Sequence, residues 1–347
     1  MSEVLSLTPA GLFCAAGAFH IDPWLPVERA LITHGHADHA RGGSGAYLAA
    51  RDGLPVLRAR LPEGASLEAV AYGERLRIGG VDVSFHPAGH VLGSAQIRIA
   101  THDEVVVVSG DYKLASDPTC APFEPVRCDT FVTESTFGLP VYRWAPPQAT
   151  IATMLAWWQA NREAGVASVV FAYALGKAQR IAAELARFAP LPGPLCCHGA
   201  IARINEAYRE AHVALPDMTP VASAAAGTDW SGALILAPPS AQGSTWMRRF
   251  EPVRTASASG WMALRGVRRR ANVDAGFVLS DHADWPALNE AVEASGAADV
   301  RVTHGYADEF VRWLAEIRPA GRATALATRF EGERGASEAP GDAAAIA

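Results

Sequence analysis

Residues Ala30 to His39 read ALITHGHADH. The stretch opens apolar with Ala30, Leu31 and Ile32, as a short buried strand does, and then turns polar abruptly. His34, His36, Asp38 and His39 follow, separated only by Gly35 and Ala37. Alternate side chains of an extended segment share a face, so His34 and His36 point the same way. Asp38 and His39 are adjacent and diverge, which lets them serve a second point nearby. Four ligand-type side chains at the end of one buried strand are costly to desolvate without a partner, and a metal ion is the natural partner. Ordinary turn chemistry draws instead on Gly, Asn, Asp and Pro. The loop predicts a metal site, and its two directions predict two metals.

The same device recurs along the chain. Val105 to Val108 is four valines, a strand buried on both faces, and it ends in Ser109-Gly110-Asp111-Tyr112. Thr130 to Thr133 ends in Glu134-Ser135-Thr136, Phe277 to Leu279 in Ser280-Asp281-His282, and Asp299 to Val302 in Thr303-His304-Gly305. Layered α/β folds gather functional side chains at such strand exits. Other short strands are predicted at Leu76 to Ile78, Val81 to Phe85 and Gln96 to Ala100, with mixed helix and turn after Arg41-Gly42-Gly43. His90, in PAGHVLGS, follows a glycine that lets the backbone approach a metal closely. A buried hydrogen-bonding role for His90 is the alternative, and His86 reads as structural. Asp22, after Phe19-His20-Ile21, is either an ordinary strand-end aspartate before Pro23 or an acceptor that orients ligand histidines.

From about Pro146 the texture changes. Gln148 to Glu163 carries Ile151, Met154, Leu155 and Trp158 at helical spacing. A strand at Ser168 to Tyr173 leads to Leu175-Gly176-Lys177, which opens another helix. Helix N-termini hold phosphate through free N–H groups, so Lys177 is a candidate contact, although a lone glycine and lysine carry little specificity. A helix at Ala200 to Ala211 and a strand at Ala233 to Ala237 follow. Arg248, Arg249, Arg254, Arg265, Arg268, Arg269 and Arg270 come next, with Trp246 and Trp261 interleaved. Arginines and tryptophans together suit backbone phosphates and stacked bases; the simpler reading is a solvated face. The net charge of −6 gives no global case for nucleic acid, so that surface has to be local.

At 347 residues the chain holds two domains, or one with a large insertion. It contains no apolar run of about twenty residues that would span a membrane. The start, MSEVLSLTPAGLFC, does not read as a signal peptide. Cys14, Cys120, Cys128, Cys196 and Cys197 form neither a zinc-knuckle spacing nor an even disulfide framework. A cytoplasmic protein with reduced thiols is expected.

HGHADH at His34 to His39, His90 in PAGHVLGS and Asp111 in SGDY resemble the metallo-β-lactamase fold. Glu134 in TESTFG, His282 in SDHADW and His304 in THGY, with a large insertion before the last two, resemble its β-CASP nuclease branch. That branch includes the pre-mRNA cleavage endonuclease and bacterial RNase J. TESTFGLPVYRW and FAYALGKAQR are similar to bacterial DNA exonucleases found with a DNA ligase and a helicase in repair gene clusters. The resemblance implies an α/β fold: an αββα metallo-β-lactamase sandwich of residues 1–142 and 277–330, with an inserted α/β β-CASP domain at 143–276. The Gly-, Ala- and Glu-rich residues 331–347 read as a disordered tail.

The resemblance also implies roles. His34, His36 and His90 would hold one zinc, Asp38, His39 and His304 the other, and Asp111 would bridge them, with manganese as an alternative metal. Asp22 would support the histidine loop, His282 would be the general acid and Glu134 its hydrogen-bonding partner. Lys177, Arg248, Arg249, Arg268, Arg269, Arg270 and Trp261 are the candidate nucleic-acid contacts. The implied activity is phosphodiester hydrolysis, as a DNA exonuclease in repair that leaves 5′-phosphate and 3′-hydroxyl ends and works beside a DNA ligase and a helicase. His304 and Glu134 point instead toward an RNase J-like RNA-processing enzyme. A catalytically inactive nucleic-acid-binding relative is the alternative of another class, and the intact ligand set argues against it.

Overall fold

The computed structural model describes residues 4–330, and the reading of 331–347 as a disordered tail lies outside them. The chain divides into two compact units. One takes the chain as far as Arg143 and resumes at His282; the other is Trp144–Asp281.

The first unit has two sheets. In hydrogen-bonded order, one runs Ser6–Thr8, Gly11–Cys14, Phe19–Ile21, Arg29–Ile32, Ala46–Ala50 and Leu67–Val70. The other runs Arg322–Ala325, Asp299–Val302, Thr130–Thr133, Val105–Val108, Ala95–Ala100, Val81–Pro87 and Leu76–Ile78. Its first four strands are parallel and the rest antiparallel.

Side-chain alternation explains the layering. Leu31 packs in one core with Phe19, Ile21, Phe85, Ile97, Val106 and Val108, drawn from both sheets. Its neighbours Ala30 and Ile32 face the other way, onto Leu57 of the helix Leu54–Arg60. Val107 likewise turns away from Val106 and Val108, toward Leu288 of Trp285–Ser295 and Phe310 and Leu314 of Ala307–Ile317. The order is helix, sheet, sheet, helix. Each fully buried Val, Leu, Ile or Phe contributes about 1.5–3 kcal/mol to holding it.

The second unit is an all-parallel sheet ordered Thr219–Pro220, Leu195–Cys197, Leu234–Ala237, Ala167–Phe171, Val253–Ala258 and Ala275–Phe277. Pro147–Glu163 starts on a proline, which suits a first helical turn, and buries Ile151, Met154 and Trp158. They pack with Ile181 of Lys177–Ala186 and Ile201 of Gly199–Glu210 over one sheet face.

Two elements differ from the sequence reading. The expected helix and turn after Gly43 contain the strands Ala46–Ala50 and Leu67–Val70. AYLAA has little intrinsic strand preference; parallel pairing to Arg29–Ile32 on one side and Leu67–Val70 on the other makes it one. The strand expected at Phe277 to Leu279 ends at Phe277, and the first unit resumes at His282 rather than at 277. Phe277 and Leu279 pack instead with Ile151 and Trp158 in the second unit's core. Among the described residues no helix is long and apolar enough to cross a membrane.

Candidate metal centre

Asp111 leaves the strand Val105–Val108 through Gly110, which has a φ of 57°. A Cβ on Gly110 would lie 2.6 Å from the Thr33 side chain, so only glycine permits this turn. The turn brings the buried Asp111 carboxylate to the histidine loop. There the chain leaves Arg29–Ile32 and closes a turn through Ala40 N–H to the His36 carbonyl at 2.8 Å.

Three ring nitrogens converge on one point. His34 Nε2 lies 3.1 Å from His36 Nδ1, and His90 Nε2 lies 3.0 Å from the same atom. Asp111 Oδ2 is 3.5 Å from His34 Nε2 and 3.9 Å from His90 Nε2. A tetrahedral zinc with its usual Zn–N bonds sets ligand atoms about 3.3 Å apart, so the set fits such an ion. His34, His36, His90 and Asp111 form a group whose ligand atoms all lie within 4.8 Å of one another. His90 is aimed by its own loop: Ser94 Oγ accepts from His90 N–H at 3.0 Å and from Val91 N–H at 3.2 Å.

His39 and His304 each approach Asp111 and Asp38 approaches His39, pairwise rather than in so tight a group. His39 Nε2 is 3.6 Å from Asp38 Oδ2 and 3.6 Å from Asp111 Oδ2. His304 Nε2 is 3.2 Å from Asp111 Oδ1, within reach but off the line of a hydrogen bond. His39 Nε2, His304 Nε2 and Asp111 Oδ1 are buried and make no hydrogen bond. Polar atoms buried without partners are costly, and here they face one another across a carboxylate, as ligands to a cation would. Asp22 holds the loop from behind, accepting from Thr33 N–H at 2.8 Å and from His39 Nδ1 at 2.8 Å. Its φ of 43° lies in the left-handed region, which Asp tolerates better than most residues.

The electrostatics suit ligation. Burial, together with the neighbouring His39, keeps the His34 imidazole well below its usual value and therefore neutral. Burial opposes charge on Asp111 and Asp38, but the surrounding histidines outweigh it and hold both carboxylates ionised. Burial also opposes charge on His39, yet Asp38, Asp111 and Asp22 overcome it and push the ring up to about 10. Folded-state pKa values raised above the unfolded ones stabilise at low pH, and depressed ones at high pH. His39 therefore stabilises the metal-free chain fully below its ordinary 6.5 and loses that contribution as pH rises through about 10. The depressed His34, Asp38 and Asp111 lose theirs as pH falls below their ordinary 6.5, 3.8 and 3.8. Urea denaturation of the chelator-treated protein should therefore show stability declining from neutral pH toward pH 10, with a shallower decline in Asp111→Asn. An equally steep decline in that variant would break the link between Asp111 and His39.

Glu134 is buried at the exit of Thr130–Thr133 and faces His282 Nδ1 with both oxygens, at 3.0 and 2.9 Å. Tyr112 N–H fixes Glu134 Oε1 at 2.8 Å. His282 Nδ1 is also 4.0 Å from Asp111 Oδ2, so Asp111, Glu134 and His282 form a second group of ligand type. Ser135 Oγ lies 3.1 Å from the Thr303 carbonyl and 2.5 Å from the His304 carbonyl, and the one proton it donates between them ties the two strand exits together.

The candidate nucleic-acid contacts separate. Arg248, Arg249, Arg268, Arg269 and Arg270 are exposed, on the short helical segments Thr245–Phe250 and Arg265–Arg270 of the second unit, and Trp261 is half-buried. Lys177 does not fit a surface role: it is 0% exposed, with its ammonium 3.7 Å from Asp281 Oδ2 and 4.7 Å from the Tyr173 ring centre. The expectation that it meets phosphate gives way to a buried ion pair. Sequence reading passed over Thr33, Ser94 and Thr303, all of which touch the histidines. The repeated Thr-His dipeptide at two strand exits was the available signal.

No family profile matches the chain. It is 30% identical over 311 residues to an Opitutus terrae protein named "Probable DNA ligase", covering 88% of this chain but only 30% of that protein. It is 28% identical over 190 residues to a ribonuclease of Thermus thermophilus, covering 47% of this chain and 43% of that one. The chain thus spans less than half the length of either relative. A crystal structure of a protein of unknown function from Enterococcus faecalis V583 matches with a TM-score of 0.60 at 10% identity, covering 87% of this chain and 80% of that one. That likeness is one of fold.

Proposed function

We propose that this chain is a metal-dependent nuclease of the β-CASP metallo-β-lactamase type, acting as a DNA exonuclease in repair. The helix–sheet–sheet–helix unit is then the metallo-β-lactamase sandwich, and Trp144–Asp281 the inserted β-CASP domain. One observation carries the reading: Asp111 stands between the two sets, with Oδ2 near His34, His90 and His39 and Oδ1 near His304, while His282 stands beside it on Glu134. His34, His36, His90 and Asp111 would hold one ion; Asp38, His39, His304 and Asp111 a second, with zinc the best fit to the nitrogen-rich set and manganese an alternative. Held there, two such ions would supply charge neutralisation for an anionic phosphodiester and a lowered pKa for an attacking water.

The chain's own groups do the rest. Asp22 and Thr33 keep the loop in place, and Asp111 joins the two ligand sets. With Nδ1 held by Glu134, His282 presents Nε2 and can hand a proton to the departing oxygen. Glu134, with both oxygens on Nδ1, thereby fixes the orientation of the ring.

The repair reading is supported by the Opitutus relative, in which a segment like this chain accompanies about twice as much further sequence under a ligase name. Ligases join 5′-phosphate to 3′-hydroxyl ends, the ends this nuclease would leave, so a DNA ligase and a helicase are the proposed partners. A second reading, an RNase J-like RNA-processing enzyme, is favoured by the Thermus relative's name and by His304. End-labelled single- and double-stranded DNA and RNA, with zinc or manganese, separate the two. Progressive loss of DNA from an end, leaving 5′-phosphates, is expected. Preferential RNA cleavage would replace the first reading by the second, and no cleavage of either by metal-loaded protein would leave an inactive binding relative.

The exposed arginines give a separate test. With Arg268, Arg269 and Arg270 all changed to Ala, the slope of log affinity against log salt should flatten by about 0.9 for each duplex phosphate that the variant no longer neutralises. Fluorescence anisotropy with labelled DNA measures it. A slope equal to the wild type's would return these residues to a solvated face.

A further inference from the structure

We infer that Thr33 and Thr303 are positioning residues that lock the adjacent His34 and His304 in the tautomer with a bare Nε2. The inference rests on the metal-centre reading above and concerns how its ligands are made ready.

A threonine hydroxyl has one proton to give and lone pairs to accept with. Thr33 gives its proton to Asp22 Oδ2 at 2.5 Å, a short bond to a group that accepts only. Toward His34 Nδ1, 3.1 Å away, Thr33 Oγ1 can then only accept. The neutral ring must carry its proton on Nδ1, which leaves Nε2 bare. That is the atom facing His36, His90 and Asp111. Thr303 makes a looser version of the arrangement, because its one proton has two acceptors within reach, the Thr133 carbonyl and His304 Nδ1. Its oxygen lies 3.3 Å from the Thr133 carbonyl and 2.9 Å from His304 Nδ1. With that proton on the Thr133 carbonyl, as we infer, His304 Nε2 is the bare atom, and it faces Asp111 Oδ1.

Both threonines are buried, so water does not compete for these bonds. Thr33 is further pinned by its own N–H on Asp22 Oδ1, at 2.8 Å, and Gly110 leaves room for its side chain. Asp22 therefore sets two rings of the loop at once: His39 directly through Nδ1, and His34 through the Thr33 hydroxyl. Without a hydroxyl, the buried Nδ1–H loses its acceptor, and the ring gains by moving the proton to Nε2, where it blocks ligation.

The test uses the full chain and three proteins at each position: wild type, Thr→Val, which removes the hydroxyl at similar shape, and Thr→Ser, which keeps it. Side-chain ¹⁵N NMR of the metal-free protein, at a pH where the rings are neutral, should show His34 and His304 protonated on Nδ1 in wild type. Thr33→Val and Thr303→Val should shift the neighbouring ring toward the other tautomer. Competition against a chromophoric zinc chelator should show affinity for one ion falling about 10–100-fold in each Val variant, with Ser restoring most of it. Wild-type rings protonated on Nε2 would overturn the inference without any variant. Folded Val variants that bind zinc as tightly as wild type would overturn it while leaving the metal centre standing. Wild-type protein that takes up no zinc would overturn both.

Discussion

Asp111→Asn is expected to lower phosphodiester hydrolysis by about 10³-fold or more, because it disturbs both ligand sets at once. Neutralisation of a phosphoryl oxygen by bound metal is worth several kcal/mol, and each 1.4 kcal/mol or so is tenfold in rate. Asn keeps the shape of Asp but offers one oxygen and an NH₂ group, which must face either the side of His34, His90 and His39 or the side of His304. A donor pointed at a cation site repels it. Metal analysis should find both ions lost or loosened in a variant whose circular dichroism matches wild type. One tightly held ion, unchanged by the substitution, would mean that Asp111 serves a single site and the bridge does not exist.

His282→Ala is expected to cost about 10²–10⁴-fold in rate with both metals retained, the usual contribution of a general acid. Glu134→Gln should cost less, since Glu134 orients the ring without touching the leaving group. Replacing the leaving oxygen by sulfur, which departs without a proton, should restore much of the His282→Ala rate and none of the Asp111→Asn rate. If sulfur brings His282→Ala no relief, the proton comes from elsewhere. If the variant loses a metal, the group of Asp111, Glu134 and His282 is itself a ligand set.

Strand exits were legible because buried strands are short apolar runs that end abruptly, and Val105–Val108 and Thr130–Thr133 fall where the sequence places them. Ala46–Ala50 was not, since small residues carry no strand signal and its pairing partners decide its state. Spacing alone left His90 open between ligand and buried donor. Its Nε2 meets His36 Nδ1 only across a long stretch of chain, a contact no local pattern encodes. Which nitrogen each ring presents was equally hidden, because it depends on partners such as Thr33, Asp22 and Thr303 rather than on the histidine itself. Lys177 shows the opposite error. A lysine after Gly176 at a helix start looks like a phosphate site, and only the fold reveals Asp281 beside it.

The most direct test of the central claim is a metal add-back titration. Chelator-stripped protein should not cleave end-labelled nucleic acid, and activity should return with added zinc or manganese, reaching its plateau at two ions per chain. Undiminished cleavage by the stripped protein, with no metal found by elemental analysis, would contradict a catalytic metal centre built on Asp111.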